Sequence, residues 1–128
     1  MRQIMLSNYS LDIYSSPCED LGELWHRLDQ QYRPQIAKMD NNYSFLSFGH
    51  LYEYGACYYG YLWSRVFALD VFEKIKKEGL LNPEIGALYI KQIIGRGGSL
   101  DPNQLLINFL GREPTQTAFL KSIGMEQD

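Results

Sequence analysis

The sequence predicts an all-α chain. Three observations carry that prediction: helix-start signals at 82-NPE-84 and 101-DP-102, apolar residues recurring at helical spacing, and almost no strand pattern after residue 15. With 128 residues, 45% hydrophobic and 14% aromatic, the chain can bury a substantial core. It is expected to be one helical segment over residues 1–128.

The opening RQIMLSNYSLDIYSS reads as the end of a helix passing into an extended piece, because Tyr9, Leu11 and Ile13 alternate weakly with polar neighbours. A helix is expected from about Cys18 to Tyr32, with Leu21, Leu24, Leu28 and Tyr32 on one face and Pro34 ending it. Residues 35–50 read as irregular. A long helix is expected from about Ala56 to Glu78, stopped at Gly79.

Asn82 and Pro83 then open a helix to about Ile94, which the glycines of 95-GRGGS-99 end. Asp101 and Pro102 start LLINFLG in the same way, and Thr115 is placed to cap TAFLKS before Gly124. The long helix is unusual. Leu62, Trp63, Val66, Phe67, Ala68, Leu69, Val71 and Phe72 cover nearly its whole circumference, so it should be buried here or await neighbours.

Composition removes several functions. A net charge of −3 and the lack of any long Lys/Arg run argue against a nucleic-acid partner. The short 74-KIKK-77 reads as the wet end of a helix. No apolar run reaches membrane length and the N-terminus lacks a signal-peptide core, so no membrane partner and a cytoplasmic location are expected. Cys18 and Cys57 form no CxxC pair, which excludes a structural cysteine–zinc cluster and leaves a disulfide framework unsupported.

Few residues are placed for chemistry. Glu23 and His26, three apart on a helix, supply two ligands where a catalytic zinc usually has three, so an exposed helical pair is the simpler reading. The glycine-rich 95-GRGGSLDP-102 lacks phosphate-loop spacing and is better explained as a helix stop followed by a cap. Cys57 reads as a buried structural cysteine; a cysteine hydrolase pairing it with His50 is a minor alternative.

That leaves 50-HLYEYGACYYGYLWS-64, which gathers one of two histidines and five of ten tyrosines. On a helix, Tyr54, Tyr58 and Tyr61 share one face, while Tyr59 joins the apolar positions. His50 and Gly55 lie in the approach, where the backbone can bend. A phenol donates a hydrogen bond without carrying charge, so such a row can stabilise an oxyanion; filling a core is the commoner use.

At these residues the chain resembles the HExxH zinc oligopeptidases, which include thimet oligopeptidase, neurolysin, oligopeptidase A and mitochondrial intermediate peptidase. The segments carrying the likeness are 48-FGHLYEYGACYYGYLW-63, 67-FALDVFEKIKKEGLLNPEIG-86, 94-IGRGGSLDPNQLL-106 and 109-FLGREPTQTAFLKSIG-124. The opening RQIMLSNYSLDIYSS is similar to the segment after the metal site. The resemblance implies the C-terminal part of a larger helical catalytic domain that hydrolyses short peptides. It implies that His50 holds substrate, that Tyr54 in the loop with Gly55 contacts it, and that Tyr61 is catalytic, donating to the tetrahedral intermediate.

Two departures accompany the likeness. The HExxH helix and its downstream Glu ligand are absent from the sequence, so zinc, the family's cofactor, is not expected in this chain alone, and neither is appreciable hydrolysis. Glu53 also stands where the family has glycine, which should stiffen the loop and alter peptide binding. Read from Met1, the chain fits a split or truncated gene product or a cloned fragment. Its expected partners are short peptides and either a separate chain carrying HExxH or a second copy. The competing reading is a non-catalytic helical interaction or regulatory module derived from a peptidase.

Overall fold

A computed structural model describes residues 1–125 except Ser16, Cys18, Glu19, Lys38 and Asp40. The described residues are all-α, with no strand among them. In order they form α1 (Arg2–Ser15), α2 (Leu21–Tyr32), a 3-10 turn (Ser44–Ser47), α3 (His50–Tyr54), a second 3-10 turn (Gly55–Tyr59) and α4 (Gly60–Glu78). Then come α5 (Pro83–Tyr89), a π turn (Ile90–Ile94), a 3-10 turn (Gly97–Ser99), α6 (Pro102–Leu110) and α7 (Thr117–Ser122). The chain divides into two compact units, Met1–Leu62 and Trp63–Asp128. No helix of the described residues is long and apolar enough to cross a membrane.

In the first unit, α1 is helical throughout, against the expected extended piece. Met5, Tyr9 and Ile13 fall four apart and form a stripe, and this spacing overrides the weak alternation around Tyr9. Met5 and Tyr9 are completely buried, and Tyr9 meets Trp25 edge-on at 5.0 Å between ring centres. Helix α2 begins where the Asp20 carboxylate accepts the Gly22 and Glu23 amides at 2.8 and 2.9 Å. The earlier start expected at Cys18 lies outside the described residues. Leu24, Trp25 and Leu28 join the core, and Leu21 stays partly exposed.

In the second unit, both expected caps form. The Asn82 side chain accepts the Glu84 amide at 2.9 Å, and Asp101 accepts the Asn103 and Gln104 amides at 2.9 and 3.3 Å. The expected helix to Ile94 widens into a π turn after Tyr89, closed by the Gly95 amide on the Ile90 carbonyl at 2.7 Å. A Cβ at position 95 would lie 2.9 Å from that carbonyl oxygen, so the closure requires glycine. Phe109, Leu106, Leu110, Ile85 and Val71 form the core. Each such buried apolar side chain contributes about 1.5–3 kcal/mol.

Charged groups close the ends of this unit. Asp70 is buried on α4 and receives both guanidinium nitrogens of Arg112, at 2.8 and 2.6 Å, with the Thr115 amide at 2.8 Å. Thr115 therefore does not cap α7, whose N-cap position is Gln116 without a side-chain bond. Lys74 donates to the Phe109 carbonyl at 2.6 Å and so caps α6, leaving only Lys76 and Lys77 as a wet helix end.

Helix α4 departs from expectation in two ways. It starts at Gly60, because Gly55 has φ 53° and ψ −126° and the following residues wind as a 3-10 turn. It is also not buried around its circumference: of the apolar set only Val66 and Val71 are buried, while Trp63 is 52% exposed and Phe72 46%. Phe67, Ala68, Val71 and Phe72 line an apolar groove of about 510 Å³ together with Ile93 and Leu105.

Candidate functional site

The candidate site lies in the first unit and is built around α3. Phe48 and Tyr58, both 9% exposed, meet edge-on at 4.9 Å and belong to the core beside Met5, Tyr9 and Trp25. The His50 ring rests on this pair, 5.5 Å from Phe48 and 5.2 Å from Tyr58. One helical turn later Tyr54 lies 5.8 Å from His50, as the i,i+4 spacing dictates.

Tyr61, at the start of α4, closes the cluster. Its ring is 5.6 Å from His50, 6.1 Å from Tyr54 and 5.0 Å from Tyr58. The arrangement has two layers. Phe48 and Tyr58 form an apolar floor, and His50, Tyr54 and Tyr61 form an exposed upper layer of polar rings. The structure thus brings together the three side chains singled out in the sequence.

The fourth residue, Gly55, acts through its backbone. Its positive φ ends α3 and reverses the chain, a conformation that L side chains adopt only under strain. It allows Tyr58 to turn under His50 while Tyr54 remains above. Two further polar contacts hold the same turn: the Ser10 hydroxyl donates to the Gly55 carbonyl at 2.6 Å, and the Tyr14 hydroxyl donates to the Leu51 carbonyl at 2.5 Å.

Two tyrosine assignments and one cysteine assignment change. Tyr58, grouped with the polar face on a continuous helix, is a floor residue. Tyr59, assigned to the core, is 42% exposed. The 3-10 winding of residues 55–59 advances each side chain by about 120° rather than 100°, which exchanges the two. Cys57 is exposed rather than a buried structural cysteine, for the same reason.

The electrostatics favour a protonated Tyr61. Partial desolvation raises its phenol above the ordinary value of 10.0, helped by a hydrogen bond and charge repulsion with Tyr54 and by Tyr58 and Glu53. Near neutral pH the group is therefore a neutral donor, suited to an oxygen that gains negative charge. His50 also borders a cavity of about 440 Å³ with Arg2, Gln3, Trp25, Ser47 and Tyr58.

Among the described residues, no group of three or more His, Cys, Asp and Glu side chains is assembled to hold a metal ion. Glu23 is exposed and His26 half-buried on α2, and among the described residues they belong to no such group.

The family model described as Peptidase family M3 matches residues 1–125. A thimet-like oligopeptidase of Dictyostelium discoideum is 36% identical over 129 residues, covering 98% of this chain and 19% of that protein. Saccharolysin of Saccharomyces cerevisiae is 35% identical over 137 residues, again 98% of this chain and 18% of its own length. Oligopeptidase A of Escherichia coli is 40% identical over 82 residues, or 62% of this chain. The chain spans about a fifth of the length of the first two relatives.

Proposed function

The chain belongs to peptidase family M3, and on that premise we propose that it is the substrate-facing part of a metallopeptidase acting on short peptides. His50, Tyr54 and Gly55 bind the peptide, and Tyr61 donates a hydrogen bond to the oxygen that becomes anionic when the amide carbonyl is attacked. Peptidases of this family are zinc-dependent. The metal ligands come from outside these residues, either from a separate chain carrying HExxH or from a longer form of this one. The location proposed is cytoplasmic.

The observation that supports this reading is the cluster of His50, Tyr54 and Tyr61, with ring centres within 5.6–6.1 Å and exposed edges over an apolar floor. A phenol that merely filled a core would be buried, as Tyr58 is. Tyr61 is instead 40% exposed and carries a proton it does not readily lose. Titrating a short peptide into the labelled chain tests the binding half of the reading. NMR shifts should concentrate at His50, Tyr54, Gly55 and Tyr61; a peptide that perturbs none of them contradicts it.

A second reading is favoured by a different observation. The exposed Trp63 and Phe72 on α4, with the neighbouring apolar groove, suit a helical interaction module that pairs with another chain or with itself. The catalytic and the interaction readings make different predictions. They diverge in whether Tyr61→Phe affects anything besides tyrosine titration.

A further inference from the structure

We propose that Ser10 and Tyr14, on α1, are positioning residues that set where His50 and Tyr54 stand relative to Tyr61. This rests on the functional reading above and deepens it. Helix α3 has five residues, a length at which a helix has little stability of its own. His50 is its first residue and Tyr54 its last, so any fraying moves a ring of the cluster. Something outside α3 must fix the turn.

The two contacts from α1 have the geometry to do so. Ser10 and Tyr14 are four apart and share a helix face, and the carbonyls they bind, Leu51 and Gly55, are also four apart. Leu51 is among the last four residues of α3, whose carbonyls lack donors within the helix. Gly55 is the glycine whose positive φ reverses the chain, and Ser10, which binds its carbonyl, is completely buried. The two hydroxyls therefore bracket the α3 turn. An added Cβ at Gly55 would lie 3.9 Å from the Tyr14 ring, so the clamp passes close over the turn.

Three variants test the idea. Tyr14→Phe removes one hydroxyl from a half-exposed ring and leaves the fold intact. Ser10→Ala removes the other. Asn8→Ala removes a different α1 contact, the 3.1 Å bond to the Tyr32 hydroxyl, and serves as the control for a merely structural role. Amide hydrogen exchange over residues 51–56 should quicken about five- to tenfold in Tyr14→Phe and Ser10→Ala, the scale of one lost hydrogen bond. Exchange in the second unit should stay unchanged.

Magnetisation transfer between the His50 and Tyr61 rings should weaken in the same two variants, and short-peptide affinity should fall about five- to tenfold. Asn8→Ala should do none of this. Unchanged exchange over 51–56, an equal effect of Asn8→Ala, or full peptide affinity in a loosened turn each overturns the proposal. A wild-type chain that binds no peptide overturns the functional reading instead, and the exchange and ring measurements still decide whether the clamp holds the turn.

Discussion

The carboxylate of Asp70, 2% exposed, is held by both terminal nitrogens of the Arg112 guanidinium, at 2.8 and 2.6 Å. Arg112 itself is half-exposed, and the Thr115 amide provides a third donor. The pair ties α4 to the segment between α6 and α7. Arg112→Ala leaves a buried carboxylate with one donor. Solvent access to the arginine reduces the loss below the usual figure for a broken buried pair, so it should cost about 2 kcal/mol in urea unfolding.

The same pair fixes a pH dependence. Burial pushes the Asp70 carboxyl up, but the Arg112 hydrogen bonds, the Thr115 amide and the Arg112 charge outweigh it, and the net direction is below 3.8. A carboxyl depressed in the folded state adds stability above its unfolded value and loses it as pH falls through the folded one. Stability from this group should be complete by about pH 5 and decline below about pH 4. Urea midpoints measured from pH 2 to 6 should show that decline, and Asp70→Asn should flatten it.

Tyr61 gives a spectroscopic prediction. In an alkaline absorbance titration the Tyr61 phenol should ionise above the ordinary value of 10.0, and Tyr61→Phe should remove that component of the late phase. Tyr54→Phe should move it back toward 10.0 without reaching it, because desolvation, the largest cause, persists. An unchanged titration in Tyr61→Phe would mean that Tyr61 does not ionise late, and an unchanged one in Tyr54→Phe that Tyr54 does not influence it.

Gly55 and Gly60 make a matched pair. Gly55→Ala forces an L side chain to φ 53° and should destabilise the chain by about 1–3 kcal/mol. Gly60 has φ −56° and ψ −27°, with nothing within 4 Å of an added Cβ. Gly60→Ala should therefore be neutral or stabilising by up to about 1 kcal/mol. Thermal or urea unfolding of the two variants checks both signs.

Neighbouring tyrosines should differ as sharply. Tyr58→Ala empties the floor beneath His50 and should cost about 3–5 kcal/mol, whereas Tyr59→Ala, at a 42% exposed position, should cost under about 1 kcal/mol. Equal losses in urea unfolding would restore the continuous-helix assignment.

These two tyrosines also show where sequence reading ends. The all-α class and the Asn82 and Asp101 caps follow from local chemistry, because caps act within a few residues. Helical spacing groups Tyr54 and Tyr61 with Tyr58, whereas the set His50, Tyr54 and Tyr61 comes from the family resemblance. Which tyrosine faces the core depends on 3-10 winding after Gly55, and a four-residue spacing alone does not disclose it. The roles of Ser10, Tyr14, Arg112 and Thr115 rest on partners 35 or more residues away.

In the proposed function Tyr61 donates a hydrogen bond to the reacting carbonyl of a peptide whose metal site lies outside these residues. The most direct measurement is peptide hydrolysis by this chain mixed with a chain carrying the zinc-bound HExxH segment, wild type against Tyr61→Phe. The mixture should cleave, and Tyr61→Phe should lower the turnover about 10²- to 10³-fold, the worth of one oxyanion donor. A mixture that stays inert, or one that cleaves equally well with Tyr61→Phe, would contradict the account.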